Sequence, residues 1–477
     1  MRPARTLFPS SLPAAAAPAR TGLSPAAVLF NTYRTSRRPR LQQQRHCHHQ
    51  QQKRAFSLSA PRSSNPTEFT ATTPPAAPAP TGLTRLTSRQ LISISGPDAA
   101  HYLQGVITTN LFPGSPPSKK KPELEHLRRD AGFYTAFLTA QGRVLYDVFI
   151  YRDPSAPIED AEKSSWLIEV DKNEAANLLQ HIRRYKLRAR FDVKLVEEDQ
   201  AQVWAAWDDT SSSKGLLSSA LSSSSVAVQM PDPRAPGLGQ RILVFSSSPG
   251  GADPDHQIPI VSEEAYHLRR YLYGVPEGPA ELPPSQALPH ESNIDLVTSP
   301  VPAIDFRKGC YVGQELTVRT EHRGVVRKRI LPCLLYPEDS QPPPSSSSSS
   351  SEQQQQTDDV PSLLAKLYQP SISSPSSLTA ADLPHEASIG RANKSGRSAG
   401  KWLRGIGNVG LALCRLESMT DVALPGEKTG GTGVVYSPED EFVVPLGGEA
   451  EGKKVKVKAF VPGWFRRGLE GKGREGM

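Results

Sequence analysis

The sequence predicts an α+β body followed by a small β-rich C-terminal domain, and three observations carry that prediction. Strand-patterned segments alternate with amphipathic helices, and with hairpins, between Gly82 and Gly274. Three short β-type segments, RILPCLLY, NVGLALCRLES and KVKVKAFVP, lie beyond residue 328, spaced by glycine and proline in the manner of a barrel or sandwich. Between and before these regions run serine-, glutamine- and proline-rich tracts that lack any periodicity a core could use.

The elements follow in order. LTRLTSRQLISISG alternates as a strand, and Ser95-Gly96-Pro97-Asp98 opens a helix whose stripe is Ala99, Tyr102, Leu103 and Val106. GFYTAFLTAQGRVLYDVFIYR reads as two strands joined at Gln141-Gly142, and SWLIEV as a third. Asp171-Lys172-Asn173-Glu174 resembles a capping box, after which Ala175, Leu178, Leu179 and Ile182 share one helical face. That helix ends in Arg183, Arg184, Lys186, Arg188 and Arg190 before FDVKLV returns to strand pattern. A further helix, from about Glu263 to Tyr273, stops at Gly274 with Pro276 beyond.

The domain boundaries expected are an address segment at 1–56, a disordered linker at 57–80, the α+β body at 81–330 and the β domain at 331–477. Insertions are expected near 113–129, near 208–257 as a surface excursion around VAVQM and RILVF, and near 341–377 as a solvated low-complexity tract.

From Met1 to Phe56 there are ten Lys and Arg residues and no acid, the first carboxylate being Glu68. This is the composition of a mitochondrial transit peptide, and Arg54-Ala55-Phe56-Ser57 has the form of a matrix processing site. The whole chain of 477 residues carries a formal charge of +8, and the leader accounts for more than all of it. The remainder is slightly acidic, which removes the basis for bulk attraction to nucleic acid. No run approaches the roughly 18 apolar residues of a membrane-spanning helix. The four cysteines, Cys47, Cys310, Cys333 and Cys414, are no disulfide framework, and the His46-Cys47-His48-His49 cluster lies within the leader.

Chemistry concentrates in DFRKGCYVGQELTVRTEHRGVVRKR, from Asp305 to Arg329. Cys310 stands between Gly309 and Gly313, with Arg307 and Lys308 beside it to favour the thiolate. Glu315 offers a proton acceptor, Arg319 and the cations after it offer anchors for carboxylates, and His322 is the nearest base. Composition alone leaves a cysteine fitted to a tight turn equally open. No CxxC or His–Cys spacing accompanies it, so Cys310 is not expected to anchor a zinc ion or cluster held by this chain alone.

RKGCYVGQE resembles the K-G-C-[FY]-x-G-Q-E signature of the YgfZ family, folate-binding relatives of the glycine-cleavage T-protein. The likeness extends through ISGPDAAHYLQGVITTN, TAFLTAQGRVLYDVFIY, RRYKLRARFDV, YHLRRYLYGVPEG, LPHESNID and HRGVVRKRI, most of Gly82 to Leu331. It implies ferredoxin-like units around a central folate-sized opening, with a C-terminal β-barrel. Taken with the mitochondrial address, it implies a matrix factor that matures [4Fe–4S] proteins of the aconitase and lipoate synthase kind. Implied partners are A-type iron–sulfur carriers and the client enzymes. Cys310 becomes a functional thiol and a transient cluster ligand. Tetrahydrofolate becomes a possible cofactor, and Arg183, Arg184, Arg188, Lys308 and Arg319 the cations expected to hold its acidic tail or an anionic partner.

The alternative is a folate-dependent aminomethyl or one-carbon transferase with Asp147 or Glu315 in acid–base work. T-proteins carry an Asp-Asp pair in the corresponding hairpin, where this chain has Tyr146-Asp147, so one carboxylate is missing.

Overall fold

Strand alternation sorts the body into layers. The computed structural model describes residues 73–112, 132–155, 165–210, 226–245, 258–298, 300–344, 360–372, 378–392, 397–424, 436–446 and 454–475. The expected leader, the linker up to residue 72, the 113–129 insertion and parts of the other two insertions lie outside them. The described elements of the body are β1 (Thr81–Arg85), β2 (Arg89–Ser95), α1 (Ala99–Val106), β3 (Phe133–Leu138), β4 (Val144–Arg152) and β5 (Ser165–Asp171). They continue as α2 (Lys172–Tyr185), β6 (Asp192–Val196), β7 (Ala201–Asp208), β8 (Val226–Pro231), β9 (Gln240–Phe245), α3 (Glu263–Tyr273) and α4 (Gln314–Arg323).

One antiparallel sheet has the order β3-β4-β5-β2-β6 and a second the order β1-β7-β9-β8. In β4, Tyr146, Val148 and Ile150 face a core shared with Ala99, Tyr102 and Leu103 of α1 and Ala175, Leu178 and Ile182 of α2. The intervening Phe149 and Tyr151 face the other way, into a core shared with Val203, Ala205 and Trp207 of β7 and Leu243 of β9. A period of two therefore decides that Asp147 lies between the two sheets and Tyr146 beneath the helices.

The stretch expected as a surface excursion is a correction. VAVQM and RILVF form β8 and β9, and β9 is an interior strand paired on both sides. Ile242, Leu243 and Val244 are all buried, so the segment folds as core rather than decoration. The linker expected to reach residue 80 is ordered by its last residues: Tyr368 Oη donates to Pro75 O at 2.7 Å and Trp207 Nε1 to Ala79 O at 2.9 Å.

Helix signals are honoured with one exchange of partners. Asp171 caps α2, accepting from Asn173 N at 2.9 Å, and Gly274 closes α3 in the left-handed region at φ 74°. Asp98 does not cap α1; its carboxylate accepts from Arg190 N at 2.7 Å and thereby pins the chain entering β6.

The C-terminal region comprises β10 (Lys328–Tyr336), α5 (Val360–Leu367), β11 (Ser388–Arg391), β12 (Gly400–Ile406), β13 (Val409–Arg415), α6 (Leu416–Met419), β14 (Phe442–Pro445), β15 (Lys454–Ala459) and α7 (Gly463–Glu475). Its strands close a barrel in the order β10-β13-β12-β11-β14-β15, resolving the sequence's choice between barrel and sandwich. Cys333 and Cys414 face its interior, both fully buried, with their sulfurs 3.7 Å apart. The tract at 341–377 is not purely solvated: α5 lies within it, and Val360 and Leu364 pack with Leu268 and Leu272 of α3 and with Leu403 and Leu411 of the barrel. VPSLLAKL supplies that apolar face, which the flanking polyserine and polyglutamine obscure in any window average. Among the described residues no helix is long and apolar enough to cross a membrane.

Candidate functional site

The signature loop is built to hold still. Asp305 N donates to Thr108 O at 3.0 Å, and the Asp305 carboxylate turns the chain by accepting from Arg307 N at 2.8 Å. Lys308 then points inward. Its Nζ donates to the carbonyls of Gln104, Ile107 and Thr109 at 2.7, 2.8 and 2.9 Å, three acceptors for an ammonium's three protons at the C-terminal end of α1. Burial lowers its pKa to about 7, and the side chain is only 5 % exposed. Lys308 is thus a bolt for the loop, not a free cation for a folate tail or for the thiol, and that expectation is corrected.

The other fastening is Gly313. Its φ is +82°, and a Cβ there would stand 2.4 Å from Thr139 O and 2.8 Å from Leu138 Cβ, in the turn between β3 and β4. Val312 N donates to Gly105 O at 3.1 Å, and Tyr311 is buried. Gly309 has no such constraint, since nothing lies within 4 Å of where its Cβ would be. Between these anchors Cys310 is exposed, and Val312 near it is 42 % exposed. A thiol is thereby presented on a loop fixed from both sides, while the other two described cysteines are sealed in the barrel.

After Gly313 the chain enters α4, a helix that sequence reading does not isolate. It starts from a left-handed glycine without a side-chain cap, so the usual signal is absent. Glu315 lies exposed in its first turn and Arg319 exposed one turn later. His322 sits in the last turn, about 12 Å of helix from Gln314. Arg183, Arg184 and Arg188 are exposed at and beyond the end of α2, on a different element from the thiol.

Asp147 belongs to a separate constellation between the sheets. It is 5 % exposed, its Oδ1 accepts from Gly278 N at 3.1 Å, and its Oδ2 makes no hydrogen bond. Burial raises its pKa, with Arg89 and Arg234 opposing and Glu277 assisting. Around it Arg89 pairs with Glu169 at 2.9 Å, and Tyr151 Oη donates to the same carboxylate at 2.6 Å. Glu277 accepts from Arg234, Tyr266 and Arg241 at 2.7, 2.7 and 2.8 Å. Burial alone would raise the Glu277 carboxyl, but the arginines hold it well below the usual range. Arg234 also lies over the rings of Tyr134 and Phe149, at 5.5 and 5.0 Å from their centroids. Sequence reading misses this network, because its partners are far apart along the chain.

The void beside Tyr134 and Arg234 is about 10 Å³, room for a water.

Asp171 borders the same network. Burial pushes its carboxyl up to about 6, with Arg89 and the cap bond to Asn173 opposing, and Asp147 and Glu277 assisting. An unfolded aspartate titrates near 4, so the folded chain binds the proton more tightly. Ionising Asp171 therefore costs stability as pH rises through roughly 4 to 6. Asp171→Asn retains a helix cap and removes that cost. It is expected to be more stable than wild type at pH 7 by about 1–2 kcal/mol, the difference shrinking towards pH 4. Urea midpoints at the two pH values check this, and a destabilised variant at pH 7 would refute it.

A curated protein of Chaetomium globosum, "Iron-sulfur cluster assembly factor IBA57 homolog, mitochondrial", is 53 % identical over 429 residues, covering 88 % of this chain and 90 % of the relative. The chain belongs to the IBA57 family of mitochondrial iron–sulfur cluster assembly factors. Family members of the same description from Neurospora crassa and Pyricularia oryzae are each 48 % identical, the first covering 81 % of both chains and the second 81 % of this chain and 86 % of the relative. Residues 327–467 match the model described as CAF17, C-terminal beta-barrel domain, in agreement with the closed barrel of this IBA57-family chain. Among solved structures, the glycine cleavage system aminomethyltransferase T from Bartonella henselae aligns with 82 % of this chain and 87 % of its own, at 11 % identity and a TM-score of 0.48.

Proposed function

We propose that this family member acts in the mitochondrial matrix on [4Fe–4S] client enzymes of the aconitase and lipoate synthase kind, by lending Cys310 as a ligand to a cluster carried by an A-type partner. The observation that supports this is the placement of the thiol: exposed, on a loop bolted by Lys308 and Gly313, with the remaining described thiols buried. A cluster needs about four ligands, and one cysteine supplies one, so the cargo is shared and the partner provides the rest. Ligand exchange needs the thiol to lose its proton as sulfur binds iron, and an exposed sulfur can pass that proton to solvent. The transferase reading has less support, because Asp147 is buried beneath its own arginines and Glu315 stands on a different element.

The test is to mix the purified chain with a [2Fe–2S]-loaded A-type carrier and follow the visible circular dichroism of fractions from a sizing column. Untreated protein should co-elute with cluster absorbance and change its spectrum. Protein whose Cys310 has been capped with iodoacetamide should leave the spectrum of the carrier alone. Equal co-elution and equal spectra for both would sink the proposal.

A further inference from the structure

A second site lies on the barrel side of α4. His290, Asp295 and Glu321 each offer a donor atom, the three atoms lying within 4.8 Å of one another. His290 is 4 % exposed, and its Nε2 is buried without a hydrogen bond although Glu321 Oε2 is only 3.4 Å away. A ring nitrogen and a carboxylate oxygen at that separation each present electron pairs to the other, so a positive centre between them is called for, either a proton or a metal ion. The contact lacks the alignment of a hydrogen bond, which weighs against the proton.

The third donor is already oriented. Arg329 Nη1 and Nη2 donate to the Asp295 carboxylate at 2.6 and 3.0 Å, and Nη1 also donates to His290 O at 2.7 Å. One guanidinium therefore fixes both His290 and Asp295, in the way that outer hydrogen bonds orient metal-binding side chains. A carboxylate oxygen that accepts a hydrogen bond through one lone pair can bind a cation through the other. With Asp295 and Glu321 ionised and Arg329 protonated, the cluster carries one net negative charge, which suits a dication. Access is open, because the three residues line a cleft of about 690 Å³ walled by Val325, Leu424 and Leu469.

We propose that His290, Asp295 and Glu321 bind one divalent first-row transition ion at the floor of this cleft, separately from Cys310. One imidazole and two carboxylates, without a thiolate, suit zinc, iron(II) or manganese(II). Ligands about 2.1 Å from such an ion stand roughly 3–4 Å apart, so the donors need to draw in slightly. Glu321, the more exposed of the three, can supply that movement.

The experiment uses the full chain, stripped with a chelator and then offered zinc, manganese(II) or, without oxygen, iron(II), with bound metal counted after desalting. One equivalent of at least one ion should be retained, with Cys310→Ser unchanged. Glu321→Gln and His290→Ala should each weaken binding at least 30-fold; the glutamine variant keeps shape and partial exposure, so it reports even if the alanine variant fails to fold. Cobalt(II) in the same site should give the weak visible bands of nitrogen and oxygen ligation and no sulfur charge-transfer band. No retained metal, equal retention by Glu321→Gln, or loss in Cys310→Ser would overturn the proposal.

Discussion

Truncating Glu277 to alanine is expected to cost about 3–5 kcal/mol, a large part of what holds a domain folded, because it takes one shared carboxylate from two buried arginines and leaves Arg234 with Asp232 and Arg241 with Glu169 alone. Arg234 and Arg241 are 4 % and 1 % exposed, and both lose a carboxylate at under 3 Å. Tyr266 Oη loses its acceptor at the same time. The cost is that of buried guanidinium groups left with fewer acceptors than they have protons, rather than of a missing attraction alone. The measurement is chemical unfolding followed by tryptophan fluorescence, with Trp204 and Trp207 reporting from the adjoining strand β7. A loss below about 1 kcal/mol would mean that water reaches the arginines, and that the layer between the sheets is not dry.

Cys310→Ser is expected to do the opposite. The side chain is exposed, and neither Gly313 nor Lys308 depends on the sulfur, so the variant should melt within about 1 °C of wild type. Serine is a poor ligand for iron and remains protonated at neutral pH, so aconitase activity in cells relying on the variant should fall several-fold or more. Measuring both quantities on one variant separates chemistry from folding. Full aconitase activity at unchanged stability would leave the cysteine without a required role, and the signature would then serve only its turn.

What the sequence discloses depends on how local the cause is. Helix α3 is legible almost to the residue, because its apolar stripe, Gly274 and Pro276 are neighbours in the chain. The exposure of Cys310 is likewise legible from nearby glycines, although only Gly313 needs its small size. Lys308 misleads because its three carbonyl acceptors belong to residues around α1, some two hundred positions earlier. Arg241 gives no signal for a related reason: only the second sheet and Glu277 make it an interior cation. Helix α5 is hidden by the composition of its surroundings. His290 and Glu321 give no signal at all, being brought together by the packing of α4 beside the start of the barrel.

The barrel closes through a pairing between β10 and β15, whose sequences are separated by all its other strands. A chain that leaves a ribosome or threads an import channel N-terminus first exposes β10 well before β15 can meet it. During that interval β10 and β14 are edge strands with unanswered amide and carbonyl groups, the kind of surface that recruits other chains. Premature stop codons between Tyr336 and Lys454 would make the interval permanent. Such alleles would be read by the cell as sticky polypeptides for chaperones and proteases, and not as shortened but working copies, even though every residue of the Cys310 loop had been translated.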